Sequence, residues 1–135
     1  MAIQMKLRGF DNIESQLNAE VTKLVNQAQR VSALQAVSEL VEVTPVDTGR
    51  ARSAWSLNKS KVLIDNQEGS LAANPAIILG PIPVDQIETL YITNGTPYIQ
   101  DLNAGSSEQA PPRFVEKTIA KYFEINGVVS QSIRQ

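Results

Sequence analysis

The triplet Asp47-Thr48-Gly49 is the one that carries the catalytic aspartate in pepsin-like and retroviral aspartic proteases. That chemistry needs two carboxylates sharing one proton, so a chain of 135 residues would have to dimerise and pair Asp47 with its symmetry mate. The neighbouring residues argue against it. Pro45 would break a strand leading into the triplet, and Arg50 and Arg52 would hold both aspartates ionised. We therefore expect no aspartic protease.

Composition narrows the remaining chemistry. The chain has no histidine and no cysteine, which excludes Ser-His-Asp and Cys-His nucleophiles and the usual zinc ligand sets. A carboxylate site for magnesium or calcium stays open, but no motif indicates one and no cofactor is expected. The 12 basic and 14 acidic residues give a net charge of −2, which argues against a surface that neutralises phosphates throughout.

The chain length fits one domain over residues 1–135. Apolar runs are too short for a membrane span, and the N-terminal residues become polar too soon for a signal peptide. The lack of cysteine suits a reducing cytosol.

A long helix is predicted over residues 11–44, where neither Gly nor Pro occurs. Asp11 and Glu14 resemble a capping box, and Pro45 ends the pattern. Apolar residues recur at spacings of three and four, which predicts one apolar stripe along the helix: Ile13, Leu17, Val21, Leu24, Ala28, Val31, Leu34, and then Val37 or Leu40 and Val41. Two interpretations remain open: a core helix, or a helix that also packs on neighbouring subunits.

The rest of the pattern alternates and then closes with helices. Residues 1–9 predict an edge strand or an ordered arm, and residues 55–64, 76–79 and 88–93 predict three further strands, the second of them buried. A short helix over 97–102 and a C-terminal helix from Pro112 follow, and residues 128–135 are either a mobile tail or a docked segment. The predicted fold class is α+β, with the long N-terminal helix and the C-terminal helix packed on a small, mostly antiparallel sheet of three to four strands.

Three stretches are more specific than the triplet alone. They read TPVDTGRARSAW at 44–55, ITNGTPYIQDLNAG at 92–105 and QAPPRFVEKTI at 109–119. In this order and spacing they resemble the tail-completion, or neck, proteins of tailed bacteriophages, the minor tail protein Z-like family of head–tail joining components. The resemblance covers nearly the whole chain and is weakest over residues 62–90. One departure is Arg113, where many relatives carry glycine.

The resemblance implies a structural virion protein without catalysis, cofactor or metal. It implies a ring of identical subunits around the DNA channel at the head–tail junction, with a hexamer favoured and a dodecamer possible. The implied partners are other connector, tail terminator and tail tube proteins, with non-specific proximity to DNA and no membrane. The implied location is the virion, and the host cytoplasm during assembly. The matching positions are structural and interface candidates: Asp47, Thr48, Gly49, Arg50, Arg52, Trp55, Asn94, Pro97, Tyr98, Leu102, Gly105, Gln109, Pro111 and Phe114.

Physical chemistry suggests roles for some of these candidates. Asp47 and Thr48 are suited to cap a short helix near Gly49, whose lack of a Cβ permits unusual backbone angles. Trp55 is expected to fill the core, and Tyr98 to pack against the sheet or contact a subunit.

The arginines leave several roles open. Arg50 and Arg52 are placed to pair with Asp47 or with a carboxylate of the next subunit, or to lie on a solvated face. The alternative function class is a small nucleic-acid-binding module that uses the basic cluster Arg50, Arg52, Lys59 and Lys61.

Overall fold

The computed structural model describes residues 1–7, 18–46, 49–69, 74–123 and 129–134, which form an α+β fold with a long N-terminal helix. The predicted fold class is confirmed. The elements are β1 (Ala2–Leu7), α1 (Ala19–Val43), a 3-10 turn (Arg52–Ala54), β2 (Trp55–Asn58), β3 (Ala76–Ile78), β4 (Leu90–Asn94), α2 (Ile99–Asn103), α3 (Phe114–Phe123) and β5 (Val129–Arg134).

The described strands form one mixed sheet in the order β3-β2-β4-β1-β5, one strand more than predicted. The pairs are antiparallel except β2 with β3, which is parallel. The additional strand is β5. It contains most of residues 128–135, for which the sequence left a mobile tail and a docked segment as alternatives, and it pairs with β1. The prediction of β1 as an edge strand or arm was wrong, because β1 lies between β4 and β5.

One face of the sheet carries the core. Ile3, Leu57 and Ile92 are in register across β1, β2 and β4 and are fully buried against α1 and α3. On the opposite face, Ser56 pairs in register with Thr93, whose hydroxyl donates to the carbonyl of Val62. The chain after β2 therefore crosses the outer face of the sheet.

The strands β2 and β3 are shorter and less buried than predicted. The predicted strand 55–64 ends at Asn58, because the following residues leave the sheet. The strand predicted as buried, β3, pairs only with β2 at the end of the sheet, and its Ile77 and Ile78 are 42% and 63% exposed. An edge position leaves a strand without neighbours on one side, which accounts for this exposure.

The described part of the long helix starts at an Asn cap and ends before the proline. Asn18 Oδ1 accepts a hydrogen bond from the Val21 N–H at 2.9 Å, as at many helix N-termini. The helix ends at Val43 with Thr44 as its cap, as Pro45 predicts. The capping box at Asp11 and the first turns of the predicted helix lie outside the described residues.

The buried side of α1 changes character along its length. Its C-terminal half buries small and apolar side chains against the sheet: Ala33, Ala36, Val37, Leu40 and Val41. Its N-terminal half buries polar ones: Thr22, Asn26, Gln29 and Arg30. In this half the interpretation as a core helix was wrong, because Val21, Leu24 and Val31 of the apolar stripe are 37%, 64% and 55% exposed.

Three of these polar side chains, Asn26, Gln29 and Arg30, hold residues 79–88 and are called the clasp below. The Arg30 guanidinium forms two hydrogen bonds with the Glu88 carboxylate, at 2.6 and 2.8 Å. It also donates to the carbonyls of residues 79–81 at 2.8 to 3.1 Å. These contacts satisfy backbone carbonyls that lie outside the strands.

The amides complete the clasp. Asn26 Nδ2 donates to the carbonyls of Pro83 and Gln86, both at 2.9 Å, and its Oδ1 accepts from the Glu88 N–H at 3.0 Å. Gln29 Nε2 donates to the Glu88 carbonyl at 2.8 Å. The polar side of the N-terminal half of α1 is therefore buried because it binds the loop of residues 79–88.

Candidate functional site

The corner between α1 and β2 is locked by Trp55. This residue is fully buried, as expected of a core side chain, and its indole N–H donates to the Thr44 hydroxyl at 2.8 Å. That hydroxyl donates in turn to the carbonyl of Leu40, in the last turn of α1. The cap of the helix and the first residue of β2 are thus joined by one chain of hydrogen bonds.

Gly49, three residues before the 3-10 turn, has a φ of 83°. Side chains with a Cβ rarely adopt this left-handed conformation, so the expected role of Gly49 as a permissive backbone position is confirmed. Asp47 and Thr48 lie outside the described residues, and their predicted capping role stays a prediction.

Arg50 makes a two-pronged contact with Asp65. Its Nε and Nη2 donate to the two carboxylate oxygens at 2.8 and 2.7 Å, and its guanidinium carbon lies 5.6 Å from the centre of the Tyr98 ring. These hydrogen bonds, and secondarily the positive charge, hold the pKa of Asp65 below its usual value. The sequence did not indicate Asp65 as a partner, although the resemblance did point to Arg50.

Arg52 reaches back to the long helix. Its Nη2 donates to the carbonyl of Glu42 at 2.9 Å, near the C-terminal end of α1, where carbonyls lack helical partners and the helix dipole favours a cation. One of the roles predicted for Arg52 was a position on a solvated face. The side chain is instead half-buried and binds a backbone carbonyl of its own chain.

The second stretch meets the first through Asn94. This side chain is fully buried; its Nδ2 donates to the Ala51 carbonyl at 2.8 Å and its Oδ1 accepts from the Thr96 N–H at 3.0 Å. A Cβ on the next residue, Gly95, would lie 2.6 to 2.8 Å from backbone atoms of Ile64. Both residues of this Asn-Gly pair are therefore required by close packing.

A narrow cleft of about 170 Å³ lies between the first two stretches. Pro97 is exposed, whereas Tyr98, which lines the cleft, is half-buried and packs against the core. The cleft is lined by Pro45, Val46, Gly49, Arg50, Ala51, Tyr98, Leu102, Ser107 and Gln109.

The third stretch closes on the first through Gln109. Its side-chain amide accepts from the Val46 N–H at 2.8 Å and donates to the Val46 carbonyl at 2.9 Å. This two-sided contact satisfies the backbone of Val46 as a neighbouring strand would. Pro111 beside it is exposed.

The start of α3 is fixed by Asn103, at the end of α2. Its Oδ1 accepts from the Val115 N–H at 2.9 Å, and its Nδ2 donates to the Glu116 carboxylate at 3.0 and 3.1 Å. The helix then buries Phe114 in the core. Gly105, between the two helices, has a φ of 101°, and a Cβ there would lie 2.8 Å from the Pro112 ring.

Arg113 has a φ of 61°, the left-handed conformation that glycine favours. Members of the resembled family often carry glycine at this position. The residue type at this position therefore differs from the glycine of the resembled family, but the backbone conformation is one that glycine favours.

Residues Arg50, Asn94, Asn103 and Gln109, with their partners, form what we call the motif cluster. It brings together residues from all three stretches, and their polar atoms bind one another or nearby backbone. The sequence named Arg50, Asn94 and Gln109 of this cluster as candidates but not Asn103, and it missed the clasp. Two signals for the clasp were present: the polar spacing of residues 22, 26, 29 and 30, and a loop with two prolines in need of donors.

The basic cluster proposed for nucleic acid is largely engaged within the chain. Arg50 binds Asp65, Arg52 binds the Glu42 carbonyl, and Lys59 Nζ donates to the Pro81 carbonyl at 3.1 Å. Lys61 is exposed. These contacts compete with phosphate binding, so the geometry favours this function class less than the sequence did.

The described residues contain no group of three or more carboxylates that could hold a metal ion. No helix in the described ranges is long and apolar enough to cross a membrane.

Comparisons with known proteins add no family assignment. No protein-family model, curated protein or solved structure matches this chain at a significant level. The likeness to tail-completion proteins thus rests on the three stretches alone.

Proposed function

We propose that this chain is a structural virion protein of a tailed bacteriophage that forms a homo-oligomeric ring at the head–tail junction. The ring joins the connector to the tail around the DNA channel. A hexamer is favoured and a dodecamer is the alternative, both by the resemblance. The protein acts by assembly and not by catalysis.

The observation that carries this proposal is the exposed apolar stripe on α1. Leu24 and Val31 are 64% and 55% exposed on a helix whose opposite side is fully used in the fold. Large apolar side chains repeating along one exposed helix face are typical of an interaction surface. The second interpretation of the helix, packing on neighbouring subunits, is therefore the one we carry forward.

The motif cluster supports the same function from another direction. Its polar groups stabilise the α1–β2 corner, a neighbouring loop and the start of α3, so their role is structural. In an enzyme, polar groups would converge on the substrate and would have hydrogen-bonding atoms available to bind it. Here Arg50, Asn94 and Gln109 are instead bound to partners within the chain.

Deletion of the gene from the phage or prophage that encodes it tests the proposal. We expect DNA-filled heads and separate tails in electron micrographs, and restored joining when the purified protein is added. Mass spectrometry of wild-type particles should detect the chain in a few copies per particle. Intact infectious particles without the gene would refute the proposal.

A gel-shift titration at increasing salt tests the alternative function. Tight DNA binding by the isolated chain that weakens steeply with salt would favour the nucleic-acid module. We expect weak binding, because three of the four cations are engaged.

A further inference from the structure

An apolar surface on α1, called the helix face, points away from the sheet. It consists of Val21, Leu24, Ala28 and Val31, all exposed and spaced three or four residues apart. At 3.6 residues per turn, these positions lie roughly opposite the buried residues Asn26, Ala33 and Leu40. The helix face is therefore on the outside of the helical layer.

The helix face continues into an acidic groove between α1 and α3. Leu34, three residues after Val31, is the first of its lining residues, and Glu39 and Glu42 lie further along. The groove is open and has a volume of about 390 Å³. Lys121 pairs with Glu39 at 2.9 Å, so Glu42 supplies the remaining negative charge.

A second apolar surface, called the sheet-edge patch, lies on the other side of the molecule. It consists of Val62, Leu63 and Ile78, which are 40%, 52% and 63% exposed. Ile78 is in register with Asn58, on the face of the sheet opposite the core. The chain at Val62 is bound to that same face through Thr93.

The charges beside the sheet-edge patch are positive. Lys59 and Lys61 are both exposed and lie three residues and one residue before Val62 in the chain. The helix face is thus apolar with an acidic end, and the sheet-edge patch is apolar with a basic flank. The two surfaces are alike in hydrophobicity and opposite in charge, as in complementary interfaces.

We propose that the helix face of one copy binds the sheet-edge patch of the next copy. Because the two surfaces face opposite directions, such a contact covers both of them and leaves each copy ready to bind another. A two-fold contact of the helix face with itself would leave the sheet-edge patch exposed. A heterologous contact that repeats is what a closed ring requires.

This inference rests on the proposed function because a ring needs a contact that repeats from one copy to the next. The helix face and the sheet-edge patch are the two surfaces that form this contact. The occupant of each surface is a second copy of this chain. Pairing of helix face with helix face is a competing outcome that the experiment separates.

Cysteine cross-linking gives the direct test, because the sequence contains no cysteine. Leu24→Cys and Ile78→Cys are made separately, purified, mixed and treated with a short bis-maleimide. We expect a covalent dimer from the mixture and none from either variant alone. The double variant should give a ladder of oligomers. Lys117→Cys, exposed on α3 and outside both surfaces, is the matched control and should not cross-link to Leu24→Cys.

Charge insertion gives the second test by sedimentation velocity. Leu24→Glu and Ile78→Glu should each weaken association about tenfold or more, since a charge replaces an apolar contact at the centre of the interface. Mixed together, they should form dimers and nothing larger, because each variant retains one intact surface. Lys117→Glu should associate as the wild-type chain does, and thermal unfolding should show all three folded.

The outcomes separate this inference from the proposed function. Cross-linking of Leu24→Cys with itself would overturn the heterologous contact in favour of helix pairing. A wild-type chain that stays monomeric and uncross-linked at the highest attainable concentration would overturn the inference as well. In both cases the gene-deletion experiment still decides the virion role independently.

Discussion

The clasp on α1 and the motif cluster beside the α1–β2 corner both tie irregular backbone to regular elements through side chains. The clasp concentrates its contacts: three neighbouring residues of one helix hold one loop, and a buried ion pair, Arg30 with Glu88, lies at the centre. The motif cluster distributes its contacts over separate amides such as Asn94 and Gln109, each with its own backbone partner.

The difference predicts how each region fails. Removing one charge from the clasp leaves the other buried without a partner, which is costlier than losing a neutral hydrogen bond. Removing one amide from the motif cluster leaves the remaining contacts in place. We therefore expect large effects from the clasp and graded ones from the motif cluster.

The largest effect is expected from Arg30→Ala. This change leaves the Glu88 carboxylate, 4% exposed, without its partner, and should lower the free energy of unfolding by about 3–5 kcal/mol in urea denaturation. The double variant Arg30→Met with Glu88→Leu should recover only part of this loss, because no buried charge remains but the carbonyls of residues 79–81 still lack the Arg30 donor. A single-variant loss below about 1 kcal/mol, the range of a surface pair, would contradict the burial of the clasp.

A smaller effect is expected from Asn94→Ala in the motif cluster. The buried Ala51 carbonyl and Thr96 N–H both lose their partner, which should cost about 1–3 kcal/mol. Asn58→Ala in the neighbouring strand is the matched control. Among the described residues its side chain bonds only to exposed groups of Ser60, so the expected change is within about 0.5 kcal/mol. Equal losses from both variants would remove the distinction.

Arg113→Gly should stabilise the protein slightly. Glycine relieves the left-handed strain at a φ of 61° but adds freedom to the unfolded chain, for a net gain of about 0.5–1 kcal/mol. Arg113→Ala removes the same side chain and keeps the strain, so it should show no such gain. Loss of stability in the glycine variant would mean that this backbone conformation is not the native one.

The smallest effect concerns Asp65 at low pH. Arg50 lowers the pKa of this carboxyl in the folded protein below its ordinary value of 3.8. Its contribution is therefore present above pH 3.8 and is lost as the pH falls through the lower folded-state pKa. Thermal unfolding between pH 5 and about pH 2 should show a shallower decline for Asp65→Asn than for the wild-type chain. An unchanged slope would indicate that the pair does not persist in solution.

The contrast between the two regions also shows what the sequence could predict. Two residues beside the motif cluster could be assigned from the local sequence pattern. Gly49 could be assigned because glycine tolerates a positive φ, and Trp55 because a large aromatic side chain at the start of a strand usually fills the core. The order of the helices and strands followed for the same reason. What these residues bind, such as Asp65 for Arg50, depends on the path of a distant loop.

The clasp could not be predicted from hydrophobicity. The N-terminal half of α1 carries an apolar stripe and a polar stripe on opposite sides, and hydrophobicity favours burying the first. The polar stripe is buried because the segment 79–88 offers unpaired carbonyls, and only hydrogen-bond donors satisfy them. The interior position of β1 was missed similarly, since alternation in one strand does not reveal its number of neighbours.

The interior position of β1 has a consequence for folding. Its two neighbours, β4 and β5, come from residues 90–94 and 129–134, so both of its pairings close long loops of chain. Such non-local contacts slow folding, on the scale of milliseconds to seconds for sheets of this kind. During synthesis β1 leaves the ribosome long before β4, and the sheet is completed only when β5 has been made. The helix that follows β1 can form early, which makes it the natural surface on which the sheet later assembles.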